Sequence, residues 1–393
     1  MGWWVNLKRL LRCAIALPYA RLGTIMIVNF WCKTLLMKIK DLSIKNLTVF
    51  EQAKFDFCAG INVFIGANGT GKTHAMKVMY AVTPFPDNYL EHWLQTFNNI
   101  PKLNYLIRNN SADKDTNKVV LGLSKVRNKG DMDRQMEVNF YNKDDDDILA
   151  NLKVTLDDCA IDVDFRNRVK PQIYLPTTEM LSIYDHFFAT YARREIPYDR
   201  THYDLVLALN AAILRKTHAD YQAIEVIIKE IQEVVTGSKA QEEDLVILEN
   251  DHFYFNLNGS KLDVNVVADG YRKLGTLYYL LRNGSLTTNS ILFWDEPEAN
   301  LNPKLIRLVA STILHLCNSG IQVFVATHSL FFMRELEIIS ANKPFKDVKQ
   351  RYFALEPTAN GVNVSQGNCV EDVEPLMLLD EELQQSDRFI SGA

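Results

Sequence analysis

Three short apolar runs punctuate the chain, and each ends on residues that carry chemistry. Ile61-Asn62-Val63-Phe64-Ile65 precedes a glycine-rich loop, Ile291-Leu292-Phe293-Trp294 precedes Asp295-Glu296, and Ile321-Gln322-Val323-Phe324-Val325-Ala326 precedes Thr327-His328. Runs of this length and apolarity predict buried strands. Elsewhere apolar and polar residues alternate, over Gln135 to Tyr141, Ile148 to Leu156 and Ala160 to Phe165, which predicts half-buried antiparallel strands. Lys38 to Lys45 and Leu47 to Phe57 read as another antiparallel pair. Helical spacing takes over in three stretches between Met180 and Val235, where Ile224, Ile227, Ile228 and Ile231 form a stripe expected to face the core. Short strands are expected from Leu245 to Val266. Further helices are expected over Thr73 to Tyr80, around Asn88 to Ile107, over Thr276 to Leu281, and from Lys304 to Cys317 behind an Asn302 cap and Pro303. The polar Asn109 to Asn117 reads as an exposed loop. Asp144 to Asp147 reads as a solvated hairpin tip rather than a metal site, because successive carboxylates there point different ways.

The loop after the first run is Gly66-Ala67-Asn68-Gly69-Thr70-Gly71-Lys72-Thr73, a phosphate cradle between a strand and a helix. Its glycines allow a tight backbone that turns N–H groups onto phosphate oxygens, and the following helix adds the positive end of its dipole. Lys72 is then placed for the β and γ phosphates of ATP and Thr73 for Mg2+. A glycine turn that matches by chance is the bland alternative, and the flanking strand and amphipathic helix argue against it. The second run supplies Asp295 as a water-mediated Mg2+ ligand and Glu296, one residue past the strand, as general base for an attacking water. Capping of the next helix would be the other use for these carboxylates, but Asn302 and Pro303 already explain that cap.

About 220 residues separate Lys72 from Asp295. RecA-like and most AAA+ modules place the two closer, whereas ABC-type ATPases insert a helical subdomain and a signature helix between them. Ala268-Asp269-Gly270 stands where that signature is expected, with Asp269 as N-cap and Gly270 as the opening through which a partner's γ phosphate approaches the helix. His328 ends the third run in the position of a γ-phosphate sensor.

Gly66 to Thr73, Asp295 to Pro303 and Ala326 to Ser329 together resemble the ABC/SMC-like AAA family ATPases of the OLD type. That group includes RecF-like repair ATPases and the ATPase subunits of anti-phage systems such as Septu and PARIS. The resemblance runs from Met37 to about Phe353 and includes the opening Met37-Lys38-Ile39-Lys40-Asp41-Leu42-Ser43-Ile44. It implies an α/β P-loop NTPase of ABC-ATPase type, with a mixed central sheet, an antiparallel β lobe and an inserted helical lid. It also implies ATP sandwiched in a homodimer or higher homo-oligomer. Lys72, Thr73, Asp295, Glu296 and His328 would act from one protomer and Ala268, Asp269 and Gly270 from the other, with Asn300, Leu301 and Asn302 crossing the interface. The sequence departs from the family at two places. Ala268 replaces the signature serine, which removes a hydroxyl contact in trans, and Gln172 starts its strand instead of ending it in a Q-loop. Thr177, Thr178 and Glu179 are the better candidates to touch the nucleotide edge. The expected division is an extension over 1–36, a first ATPase lobe over 37–175, a helical lid with connecting strands over 176–266, a second lobe over 267–355 and an acidic tail over 356–393.

A chain of 393 residues with 23% charged residues and a net charge of −5 fits one large α/β domain with a lid, or two smaller domains. Six cysteines without a CxxC pair read as reduced packing residues of a cytoplasmic protein, with no metal beyond Mg2+. Arg9, Arg12, Arg21 and Lys33 interrupt the apolar start well short of the roughly 20 residues a membrane span needs, so no stable membrane insertion is expected. The first 36 residues read as sequence ahead of a natural start at Met37, or as an amphipathic surface segment. About 65 residues follow His328, too few for a Toprim nuclease domain, so an effector nuclease or toxin is expected as a separate polypeptide. Leu376 to Leu379, between acidic clusters, is a candidate docking segment for it, a packed terminal helix being the plainer reading. The leading expectation is an ATPase whose nucleotide-dependent assembly senses or controls a nucleic-acid-related target in anti-phage defence. Its main rival is a RecF-like ATPase that clamps duplex DNA, for which Lys102, Arg108, Lys114, Lys118, Lys125, Arg127, Lys129 and Arg134 offer a basic patch. A transporter nucleotide-binding subunit and a non-hydrolysing scaffold are further alternatives.

Overall fold

The computed structural model describes residues 37–82, 104–107, 121–124, 135–142, 148–155, 160–163 and 172–391, apart from 194, 241, 258, 289, 360, 374–383 and 386. The chain opens with a hairpin, β1 (Met37–Leu47) and β2 (Phe50–Asp56), which turns at Thr48 with φ 56°. β3 (Ile61–Gly66) leads through the phosphate loop into α1 (Lys72–Val82). β4 (Asn104–Ile107) and β5 (Leu121–Ser124) make a two-stranded ladder. β6 (Gln135–Asn142), β7 (Ile148–Thr155) and β8 (Ala160–Val163) extend the first hairpin into an antiparallel sheet of order β2-β1-β6-β7-β8. β9 (Gln172–Leu175) precedes the lid helices α2 (Phe187–Ala192), α3 (Arg200–Leu209) and α4 (Ala219–Thr236). A meander of β10 (Val246–Glu249), β11 (His252–Leu257) and β12 (Ser260–Asp263) returns the chain to α5 (Asp269–Arg282). The rest alternates: β13 (Ile291–Asp295), α6 (Pro303–Asn318), β14 (Gln322–Thr327), α7 (Leu330–Ser340), β15 (Gln350–Thr358) and β16 (Gly361–Gly367).

The apolar runs form the middle of a six-stranded sheet of order β16-β15-β3-β14-β13-β9, parallel throughout except for the β15–β16 edge. Every residue of β3, β13 and β14 is buried, as strands covered on both faces require. One face carries Phe64 stacked on Phe353 and Phe293 stacked on Phe324, and these rings meet Phe55 and Phe57 of the antiparallel lobe edge to face. On the other face Ile61, Val63, Ile65, Leu292, Trp294, Val323 and Val325 join the helices in one core, where Ile224, Ile227, Ile228 and Ile231 are all buried. The Gln322 amide pins lobe to sheet: it donates to the carbonyls of Ile39 and Cys58 at 2.8 Å each and accepts from the Ile39 N–H at 2.9 Å. The result is an α/β P-loop NTPase fold with a mixed central sheet, an antiparallel β lobe and a helical lid. Among the described residues no helix is long and apolar enough to cross a membrane.

The structure departs from the sequence reading at several places. Asn104–Ile107 is a strand, not the end of a helix, because pairing with Leu121–Ser124 overrides local spacing; residues 88–103 lie outside the described residues. Asn109 to Asn117, Asp144 to Asp147 and residues 1–36 also lie outside them. The central sheet continues past residue 355: β16 pairs with β15 through Val364 opposite Leu355 and Val362 opposite Pro357, so the acidic tail begins later than expected.

Candidate functional site

β3, β13 and β14 run parallel, with Ile65 opposite Thr327 and Ala326 opposite Asp295, so the phosphate loop, the paired carboxylates and His328 emerge at one edge of the sheet. Crevices at the carboxyl ends of parallel strands are where such folds take ligands. In the loop, Asn68 and Gly69 form the exposed tip, while Thr70 is buried and donates to the Ala67 carbonyl at 2.9 Å. Gly71, at φ 91°, lies so close to Val49 and Phe50 that no side chain fits. The Lys72 ammonium is folded back on the loop, donating to the carbonyls of Gly66 at 2.7 Å and Ala67 at 2.9 Å. Burial lowers its pKa, against the pull of Asp295, Glu296 and Glu298.

Thr73 and Asp295, far apart in sequence, meet here: the hydroxyl lies 3.1 and 2.9 Å from the two carboxylate oxygens. Tyr174 also donates to Asp295, at 3.4 Å. Burial raises the Asp295 pKa, with the Thr73 hydrogen bond acting the other way. These oxygens are of the hard type that Mg2+ prefers, and Thr73 and Asp295 would hold it. Glu296 follows at φ 47°, a left-handed conformation unusual for a glutamate, with its N–H donating to the Ala326 carbonyl at 2.9 Å. This geometry brings its carboxylate 3.3 Å from His328 Nδ1.

Lys273 was not expected at the site. It reaches from α5, buried, to donate to the carbonyls of Glu296 at 2.9 Å and Ala299 at 3.1 Å, and so braces the turn that holds Glu296. A lysine on the apolar face of Leu274, Leu277 and Leu281 was the signal available in the sequence. Glu298 and Thr327 were also missed as a pair: the Thr327 hydroxyl donates to Glu298 at 2.6 Å. Behind α1, Lys77 meets Asp199, the cap of α3, at 2.5 Å, and His202 lies 2.9 Å from the same carboxylate.

The signature region is built differently from the sequence reading. Ala268, exposed, is the N-cap of α5 and Asp269 its first helical residue. The Asp269 carboxylate instead accepts from Asn300 at 2.8 Å and Arg272 at 3.2 Å. Gly270 is buried, and a Cβ there would lie 2.9 Å from Leu301 and 3.2 Å from Leu305 of the same chain. Gly270 therefore packs on the turn after β13 within its own chain, where a larger residue would have to displace the ends of Leu301 and Leu305. Glu179 is likewise committed, accepting from the N–H groups of Leu181 and Ser182 and pairing with Arg272 at 3.2 Å, which takes it away from a nucleotide-contacting role.

The chain is similar over 44 residues to the DNA replication and repair protein RecF of Streptococcus agalactiae, at 41% identity; the match spans 11% of this chain and 12% of that protein. It is similar in fold to an SMC head domain from Thermotoga maritima at 10% identity and a TM-score of 0.45, over 83% of this chain and 98% of that one. An Smc head bound to the C-winged helix domain of ScpA matches at 14% identity and a TM-score of 0.49, over 85% of this chain and 98% of that one. Residues 61–334, well over half the chain and all of the site just described, match the family model described as "AAA domain, putative AbiEii toxin, Type IV TA system", and the chain belongs to that family.

Proposed function

We propose that the protein binds ATP with Mg2+ and hydrolyses it at a site completed by a second copy of the chain. The observation that carries this reading is the pairing of Glu296 with His328 at 3.3 Å beside the Thr73–Asp295 contact. That arrangement supplies a base, a polar group next to it and a cation site at the mouth of a phosphate loop. The loop N–H groups and the start of α1 bind the phosphates. Lys72 exchanges the carbonyls of Gly66 and Ala67 for phosphate oxygens. Thr73 and Asp295 would hold Mg2+, which would supply charge neutralisation at the phosphates. Glu296 accepts the proton of the attacking water, and His328 orients the groups around it. From the partner, the exposed start of α5 at Ala268 and Asp269 closes the site; without a serine hydroxyl, the free N–H groups of that helix are what it offers.

In this reading, assembly driven by nucleotide senses or controls a nucleic-acid-related target through a separate effector, a nuclease or toxin of an anti-phage defence system. The family description, which names a toxin of a Type IV TA system, supports an effector setting. The similarity to RecF favours a second reading, a clamp on duplex DNA. ATP turnover and light scattering on the wild type and Glu296→Gln, with and without duplex DNA, test both. Turnover abolished by Glu296→Gln, with an ATP-stabilised dimer or larger assembly, is the expected result. Salt-sensitive stimulation by DNA would turn the conclusion toward the clamp. A wild type that neither hydrolyses ATP nor changes size would refute the proposal.

A further inference from the structure

Glu298 has no task in the reaction as described, yet it is more buried than Glu296 or His328, at 7% exposure. One carboxylate oxygen accepts from the Thr327 hydroxyl at 2.6 Å and from the His328 N–H at 3.4 Å. Thr327 in turn accepts from the Ser329 N–H at 3.0 Å, and Ser329 caps α7 through the Phe332 N–H at 3.2 Å. The other carboxylate oxygen is buried without a hydrogen-bond partner. Burial accordingly raises the Glu298 pKa, against the Thr327 hydrogen bond. A carboxyl group with an orphaned oxygen is a costly way to join two loops if joining them were its whole use, since an apolar pair would do so without the desolvation.

We propose that Glu298 is the positioning residue that sets His328 against Glu296. It stands two residues after Glu296 on the turn beyond β13, and its bonds to the Thr327 hydroxyl and the His328 N–H hold the end of β14 and the turn that follows. The separation between these loops governs the 3.3 Å approach of His328 Nδ1 to Glu296. Loss of the tie lets the imidazole move while the phosphate loop, held by the Thr70 and Lys72 hydrogen bonds to its own carbonyls, keeps its shape. This inference rests on the ATPase reading.

Steady-state turnover and ATP affinity of Glu298→Ala, Glu298→Gln, His328→Ala and the Glu298→Ala/His328→Ala pair test it. Glu298→Ala is expected to lower kcat about ten- to a hundredfold, the scale of a small misplacement of a reacting group, with KM and ATP affinity within about twofold of wild type. Glu298→Gln, which retains an oxygen for Thr327, recovers most of the loss. In the His328→Ala background Glu298→Ala has no further effect. Equal losses in both backgrounds, or a parallel loss of ATP affinity, would overturn the inference. Thr327→Val reproduces the phenotype if Glu298→Ala does not fold. The imidazole NMR signals of His328 supply a readout that needs no turnover: Glu298→Ala is expected to shift and broaden them, and unchanged signals would sink the inference even in a protein that hydrolyses nothing. A wild type without turnover defeats the ATPase reading alone, and normal turnover in Glu298→Ala defeats this inference alone.

Discussion

Replacing Gly71 by alanine places a methyl group 2.6 Å from Val49 Cγ2 and 2.8 Å from Phe50 Cζ, on a backbone at φ +91°. The left-handed backbone alone costs a residue with a Cβ roughly 1–2 kcal/mol. Phe50 is fully buried and packed edge-on against Phe55, so it has little room to retreat, and overpacking adds roughly 1–3 kcal/mol. The total is roughly 2–5 kcal/mol. Gly69 provides the control: its φ is +82°, but a Cβ there meets nothing within 4 Å, so Gly69→Ala is expected to cost only the backbone share of roughly 1–2 kcal/mol. Urea unfolding of the two variants, followed by tryptophan fluorescence, compares them directly. Gly71→Ala should fall below Gly69→Ala by roughly 1–3 kcal/mol, about five- to 150-fold in the folding equilibrium. Val49→Ala in the Gly71→Ala background should recover part of the loss by clearing the nearest clash. Equal midpoints for the two glycine variants would refute the reasoning, because the difference rests entirely on the hairpin packed behind the loop.

Lys273→Met removes the ammonium that braces the carbonyls of Glu296 and Ala299, and is expected to cost about 1–3 kcal/mol and to lower turnover at least tenfold, because Glu296 at φ 47° loses what holds it; wild-type turnover in a folded Lys273→Met protein would count against that role. Gly270→Ala meets the flexible ends of Leu301 and Leu305 and touches the Asn300 carbonyl at an ordinary contact distance of 3.4 Å, and alanine is the better helix former by about 1 kcal/mol, so stability should change by less than about 1 kcal/mol and ATP-dependent assembly should persist. Loss of assembly in a folded Gly270→Ala protein would return a phosphate-facing role to that residue. For Asp199, burial would raise the pKa, but the His202 hydrogen bond and the Lys77 charge outweigh it and hold the carboxyl below its ordinary range. Its stabilising contribution is therefore present above a pH of about 4 and lost as pH falls through the lowered folded value. Asp199→Asn, which retains a capping oxygen, should lose about 1–3 kcal/mol at neutral pH and progressively less in strong acid. A pH-independent difference between Asp199→Asn and wild type would contradict this.

Much of the site is legible in the sequence because each chemical group ends a run whose apolarity already marks it as a buried strand. Asp295, His328 and the phosphate loop share an edge because three parallel strands of similar length must end together. Asn302 caps α6, accepting from the Leu305 N–H at 3.0 Å, as local rules require. What the sequence hides is contact between residues with no local relation. Lys273 shows in the sequence only as a lysine among apolar helix positions, and what it braces appears once α5 is laid under the turn at Glu296. The meaning of Gly270 changes once Leu301 and Leu305 are found against it. Asn104–Ile107 could not be placed from spacing, since a short apolar segment suits helix or strand and only a partner strand decides. The edge strand β16 was hidden by its polar residues, which an edge position tolerates.

β3 has β14 on one side and β15 on the other, so the strand that presents the phosphate loop takes both its neighbours from residues 322–358. During synthesis it therefore waits without either neighbour while about 260 further residues emerge, roughly 13–50 s at ordinary ribosomal speeds. For that interval an apolar strand is exposed to chaperones and to other nascent chains, and the glycine-rich loop has no neighbouring strand to support it. A ribosome that stalls or a transcript cut before β14 leaves a fragment with the whole glycine-rich loop but neither strand that flanks β3, so the loop is mounted on its sheet only once residues 322–358 have been made.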